Sequence, residues 1–356
     1  MKIIFSTATS ISIYLLLFFL TSFLVAKFRR NKILFFLSLI FVLLLFGFRY
    51  CGTDIKTYES IILRLGSTPL IDILNYQNIF DGIGFQIISH CFYKIGGFTL
   101  VNIVIGIFIL FPVYIVLYRN RYKINIFLFS FIYLIAFFIT SFNIMRQFVA
   151  VSFIFLGYDY LKNKCIIKYF ICIIIGFLFH STAIIGISFW MINVIVENKN
   201  KNTKYGYLKV LGACLLIVTI TFFSIKYVSI ASYSGYLENT NSGKNRDFIV
   251  ILFKFFILIV LKNRLVKIDD DARYYILFCL ITLLIGTTGF MSAYIKRLYY
   301  YFNIFECFSF ALIPKLFKQK RLISNGIVVF YIGLFILTTL IIPQGHVVPL
   351  ILKIGS

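Results

Sequence analysis

Long apolar runs separated by short basic stretches set the pattern of this chain. The runs cover residues 5–26, 33–49, 98–118, 124–142, 146–161, 169–180, 182–196, 207–228, 248–261, 274–295, 298–314 and 322–342. A membrane-crossing helix needs about 20 predominantly apolar residues. The runs are continuous rather than alternating with period two, which predicts helices and not an outer-membrane barrel. Several are shorter than a full crossing. The stretch 169–196 makes either one long tilted helix or two short helices folded as a hairpin.

Charge arbitrates between these. Six short loops are basic: 27–32, 119–123, 162–168, 197–209, 262–273 and 315–321, together holding 22 of the 35 Lys and Arg residues. Cytoplasmic loops of membrane proteins concentrate such residues. Loops 162–168 and 197–209 share a side only if 169–196 goes in and returns, so the hairpin is favoured. It puts His180 at an outer corner and both termini outside. The first apolar run leads into Lys27, Arg29, Arg30 and Lys32, which reads as a retained span and not a cleavable signal. Two longer loops then face outward. Residues 50–97 mix polar and apolar positions and predict short interfacial helices. Residues 229–247 are polar. The expected architecture is all-α, a single transmembrane domain over residues 1–356 with about 10–12 crossing helices and no soluble domain.

Composition agrees. The chain is 61% hydrophobic and 13% charged, with a mean hydropathy of +0.97. Soluble chains are roughly 45–50% apolar and about 25% charged. A soluble enzyme, a secreted disulfide scaffold and a disordered chain are thereby excluded. The net charge of +23 follows from the basic loops and calls for no nucleic acid. The seven cysteines show neither CxxC nor metal-ligand spacing. No nucleotide loop or internal repeat is present, and no cofactor or metal is expected.

The polar residues at the outer ends of spans carry the chemistry, because ionisable groups there are costly and often functional. Arg49 ends the second span, before Gly52-Thr53-Asp54 and Tyr58. Its planar fork suits phosphate; a snorkelling anchor beside an Asp-capped turn is the plain alternative. Arg146 lies in Asn143-Ile144-Met145-Arg146-Gln147 between two apolar runs, as an anion ligand or as a turn residue. His180 either moves a proton near neutral pH or bonds across helices. Lys296 and Arg297 precede Tyr299, Tyr300 and Tyr301, an aromatic belt or a sugar-stacking surface. Lys254 and Glu306 fall inside apolar runs, and their spacing does not establish a pair. The favoured topology collects Arg49, Asp54, Arg146, His180 and Arg297 on the outer side. Clustered arginines there suit a membrane-embedded anion, and diphosphate on a lipid carrier is the natural one.

At these residues the chain resembles the EpsG family of bacterial membrane proteins, related to the Wzy-type polymerases of O-antigen, capsule and exopolysaccharide. Four stretches carry the resemblance: Phe48-Arg49-Tyr50 with Gly52-Thr53-Asp54 and Tyr58; Ile144-Met145-Arg146-Gln147 with the helix ending in Tyr160-Leu161-Lys162; Phe179-His180-Ser181-Thr182-Ala183; and Lys296-Arg297 with Tyr299 and Tyr301. A further family feature, an acidic residue followed by Gly and an aromatic, is matched only loosely by Asp81-Gly82-Ile83-Gly84-Phe85. The resemblance implies a glycosyltransferase of the bacterial cytoplasmic membrane. It would join undecaprenyl-diphosphate-linked oligosaccharide repeats, both donor and acceptor, on the outer face without a metal. Arg49, Arg146 and Arg297 would hold the diphosphate. His180, or else Asp54, would be the base. Tyr58, Gln147 and Tyr301 would bind sugar. Membrane lipid, a chain-length regulator and a flippase of the same pathway are the implied partners. A flippase of lipid-linked glycans shares the composition but should show paired broken helices in two related halves, which are not found. An O-antigen ligase would carry a larger late outer loop than 229–247. A structural or assembly role is the third alternative.

Overall fold

The computed structural model describes residues 1–76, 82–197, 246–288, 297–341 and 345–353. The predicted span 207–228, most of the loops 197–209 and 229–247, Asp81 and Lys296 lie outside the described residues. The described part of every other predicted span falls on helical segments. The fold is all-α and that of a polytopic membrane protein, apart from one small sheet among the described residues. The chain forms two compact units: residues 1–157, 170–183 and 310–356, and residues 158–169 and 184–309.

The first unit starts with strand β1 (Lys2–Ile4) and helix α1 (Thr7–Lys27). Small polar residues start its helices. Ser6 accepts from the Thr9 N–H, Asn31 from the Leu34 N–H and Asn125 from the Leu128 N–H, and each satisfies a donor that the helix leaves unpaired. One side of α1 exposes Leu16, Phe19 and Phe23, while Tyr14, Phe18 and Val25 are buried. The exposed apolar side is what a lipid-facing helix presents. Within the unit, Ser22 donates to Ser130 (3.1 Å), and Ser130 also meets the Tyr114 hydroxyl (2.8 Å).

Helices α2 (Lys32–Leu37) and α3 (Ile40–Phe48) make one predicted span, broken at Ser38 and Leu39. The predicted interfacial segment holds α4 (Ile55–Ser67) and α5 (Leu70–Tyr76). It also holds the first third of α6 (Ile83–Arg119). At 37 residues α6 is far longer than a bilayer crossing requires. Non-helical geometry at Gly96 and Gly97 divides it into an arm over 83–95 and a crossing over 98–119. Helix α4 buries Ile55, Tyr58, Ile62 and Leu65 at helical spacing, and the Leu65 carbonyl meets His90 of the arm. Next come α7 (Ile126–Ile132), extended by π and 3-10 turns to Phe142, and α8 (Met145–Lys162).

The stretch 169–196 reverses at His180. Helix α9 (Ile166–Phe179) is followed by a 3-10 turn (Ser181–Ile185) and α10 (Gly186–Glu197). The Tyr169 hydroxyl donates to the Gly186 carbonyl, whereas a straight helix would hold those residues about 25 Å apart. A Cβ on Gly176 would lie 3.2 Å from that of Ala183.

In the second unit α11 (Arg246–Ile268) and α12 (Ala272–Thr288) lead to α13 (Tyr299–Asn303) and α14 (Glu306–Leu312). Tyr158, Phe189, Phe278, Phe302 and Phe305 form its aromatic core, with Phe189 stacked on Phe302 at 4.6 Å. Lys254 and Glu306 pair at 2.9 Å among these apolar helices. Helix α15 (Lys320–Ile336) and strand β2 (Ile351–Lys353) return to the first unit.

Basic loops gather within each unit. In the first, Lys315 donates to the Lys123 carbonyl (2.5 Å) and Arg29 lies 5.9 Å over the Tyr122 ring. In the second, Lys162 pairs with Asp271 at 2.5 Å, linking loops 162–168 and 262–273. Asp269, Asp270 and Asp271 make the latter loop less basic than its lysines alone suggest. The other end of the first unit carries the small sheet, with β1 antiparallel to β2 and Ile3 opposite Leu352.

Candidate active site

The end of α3 is stitched to the C-terminal segment. Tyr50 N–H donates to Ile351, Gly52 N–H to His346 and Thr53 N–H to Gly345. Outside this ladder, Glu59 of α4 accepts from Lys353 (2.6 Å) and from the Tyr50 hydroxyl (2.5 Å). Glu59 holds the Tyr50 phenol in its neutral form, pushing its pKa up to about 12. Burial raises the Glu59 pKa, but the bonds from Lys353 and Tyr50 outweigh it and leave the carboxyl below its ordinary value.

Asn143 ties this loop to the start of α8. Its Oδ1 accepts from the Thr53 N–H (2.7 Å) and hydroxyl (3.1 Å). Gly52 has φ +117, and a Cβ there would stand 2.6 Å from the same oxygen. Only glycine fits both the dihedral and the gap. Arg49 is fully buried. Its guanidinium carbon lies 3.5 Å from the Phe46 ring centroid and 4.6 Å from that of Phe142. It donates to the Phe46 carbonyl, to the Phe142 carbonyl (3.5 Å) and to Met145 Sδ (2.9 Å), while Nε is unpartnered. Among the described residues no carboxylate pairs with Arg49.

Arg146, the second residue of α8, is half-buried. The buried Tyr58 phenol accepts a hydrogen bond from it, and both side chains meet Phe85. The Tyr58 and Phe85 rings are 5.8 Å apart, and the guanidinium lies 5.9 Å from the Phe85 centroid. Burial raises the Tyr58 pKa; Arg146 opposes that shift and the nearby Asp54 adds to it. Asp54 occupies the N-cap position of α4, as expected from sequence, but makes no cap bond. Among the described residues its carboxylate has no hydrogen-bond or ion-pair partner.

Gly82 closes the cluster. It precedes α6 with φ +83, without a side-chain cap. A Cβ there would lie 2.5 Å from the Phe179 carbonyl and 3.6 Å from Arg146 Cδ. That spacing joins the start of α6, Arg146 and the residue before His180 at one point. His180 is half-buried, and its Nδ1 accepts from the Thr182 N–H (3.3 Å) with Thr182 Oγ1 at 2.7 Å.

The first unit therefore brings Arg49, Asp54, Tyr58, Arg146 and His180 to one end, from segments far apart in sequence. Gln147 is buried beside Arg146 and has partners. Arg297 and Tyr301 belong to the second unit, where Arg297 is exposed and Tyr301 is buried. Sequence reasoning gave no role to Asn143, Gly82 or Phe85. The Gly-x-Gly before an aromatic at 82–85 was the available signal for two of them.

No curated protein and no solved structure matches the chain. The EpsG family matches residues 32–351, nearly the whole chain and all of the candidate residues above. That family is one of exopolysaccharide-related polymerases. The chain belongs to the EpsG family, and at that level it is a membrane-embedded, glycosyltransferase-like polysaccharide polymerase.

Proposed function

We propose that the protein joins oligosaccharide repeats carried on undecaprenyl diphosphate at the outer face of the bacterial cytoplasmic membrane. The product is a surface polysaccharide of the exopolysaccharide, capsule or O-antigen kind. The observation that carries this reading is Arg146. It is half-buried, oriented by Tyr58 and supported by Phe85, and it lies beside the uncapped start of α6 and the Phe179-His180 turn. A fixed guanidinium next to the positive end of a helix suits an anion.

Breaking the glycosyl–diphosphate bond builds negative charge on phosphate. Donors held in place before reaction stabilise it without reorganisation. Arg146 is the contacting donor. Arg49, one residue from it through Met145, adds positive charge with no carboxylate partner among the described residues. The acceptor sugar hydroxyl must lose a proton as it attacks. The Asp54 carboxylate, near Tyr58 and without a cap bond, takes that proton. Undecaprenyl-diphosphate-linked glycan is donor and acceptor. A flippase supplying repeats and a chain-length regulator are the partners.

A gel of surface glycan and of extracted lipid-linked intermediates tests this. In a clean deletion strain single repeats should surface while the ladder vanishes. The wild-type gene should restore the ladder, and Arg146→Ala at equal protein level should not. Repeats trapped inside the cell, or a ladder unaffected by deletion, would refute the proposal.

A further inference from the structure

His180 is the residue that a sequence reading would make the base, and its geometry speaks against that role. A backbone N–H only donates, and the Thr182 N–H points at His180 Nδ1 from 3.3 Å. Nδ1 therefore presents its lone pair. The Thr182 hydroxyl, 2.7 Å from the same nitrogen, is placed to donate to it as well. A neutral imidazole carries one proton, so the proton sits on Nε2. In this state Nε2 cannot accept a proton, and protonating Nδ1 would break the bond from the Thr182 N–H. The arrangement is a cap: His180 precedes the 3-10 turn over 181–185 and satisfies an N–H at its start. His180 directly follows Phe179, whose carbonyl faces Gly82 beside Arg146.

We propose that His180 acts in the transfer as a hydrogen-bond donor, through Nε2–H, to an oxygen of the departing diphosphate. This rests on the polymerase reading above. The acceptor hydroxyl oxygen forms its bond to the anomeric carbon, and its proton passes to the Asp54 carboxylate. The bond from that carbon to the diphosphate oxygen breaks, and the electron pair stays on that oxygen. The Nε2 proton stays on histidine and strengthens its hydrogen bond as the charge develops.

Three substitutions separate the roles. His180→Asn keeps a cap acceptor but loses the donor at the Nε2 position. His180→Gln carries an amide donor to about that position and cannot act as a base. His180→Ala loses both. Each is purified into phospholipid nanodiscs and given repeat-unit lipid extracted from the deletion strain. Extension rate is read alongside thermal melting. His180→Ala and His180→Asn should slow extension by about 10²–10³-fold, the usual effect of removing one such donor. His180→Gln should stay within about tenfold of wild type, and His180→Asn should melt as wild type does. If Gln is as slow as Ala while still folded, His180 is the base and the inference fails. If Asn restores the rate, His180 is only a cap and the inference also fails. A wild-type protein that extends nothing would overturn the polymerase reading and this inference with it.

Discussion

Replacing Gly82 by alanine should separate the two halves of the candidate site. The residue has φ +83 and ψ 60, a conformation that costs an L-residue about 1–2 kcal/mol. The new Cβ would also stand 2.5 Å from the Phe179 carbonyl oxygen, where ordinary contact begins at 3.4 Å. That oxygen belongs to backbone and cannot rotate away. The start of α6 must retreat by about 0.9 Å, carrying Phe85 from Arg146, or the His180 turn must retreat instead. Strain and overpacking together should destabilise the protein by about 2–4 kcal/mol. A displacement of about 1 Å at a reacting centre is worth about 10²-fold in rate. The assay is thermal melting of the purified protein with gel analysis of polymer length at matched protein level. The control is Gly326→Ala in α15, where a Cβ meets nothing within 4 Å. It should stabilise by about 0.5–1 kcal/mol, since a helix interior prefers alanine. Wild-type melting and a full ladder from Gly82→Ala would refute the argument.

Three other outcomes are expected. Tyr58→Phe keeps the packing on Phe85 but removes the acceptor for Arg146; melting should barely change, while extension falls about tenfold, for a bond worth about 1.5 kcal/mol. Glu306→Gln strips Lys254 of its partner among apolar helices and should cost about 3–5 kcal/mol, seen as lost protein in the membrane; Lys254→Met with Glu306→Leu should recover most of it, and a double variant no better than the single would refute the pairing. Glu59→Gln should lower stability by about 1 kcal/mol at neutral pH, after allowing for partial exposure. The Glu59 pKa is depressed in the folded protein, so its contribution is present above the ordinary carboxylate range and is lost as pH falls through the lowered value. Melting of wild type and variant should therefore converge as pH falls through that lowered value, and a gap that persists in more acid solution would contradict the assignment.

The spans were legible because lipid-facing and buried positions are both apolar, so length alone marks them. The reversal at His180 was legible for another reason: two basic loops could share a side only if the chain turned there. What periodicity missed has a common cause. The arm over 83–95 carries Gln86, Ser89 and His90 on its buried side, which breaks the apolar pattern by which a packed helix is recognised. The pairing of 345–353 with 2–4 and with 49–53 joins the two ends of the chain, and no local pattern encodes that partnership.

The site was readable in kind but not in role, and Arg49 and Arg146 show why. Both arginines end or begin spans on the same side, and sequence offered each the same task. The structure gives them different surroundings. The Phe46 and Phe142 rings both lie against the Arg49 guanidinium, and three donor contacts fix it in place with no exposure. Arg146 is half-buried, with the Tyr58 phenol and the Phe85 ring against it. Identity and sidedness come from residue type and charge distribution, whereas accessibility depends on which aromatic rings arrive from elsewhere in the chain. Phe142 reaches Arg49 across 93 positions, and Phe85 reaches Arg146 across 61. The same reasoning is why Asp54 and not His180 is proposed as the base: Thr182 occupies the histidine's lone pair, and the cap bond expected of the aspartate is not made. The proposed mechanism therefore divides the labour: the buried arginine sets the potential of the site, and the half-buried one is proposed to meet the ligand.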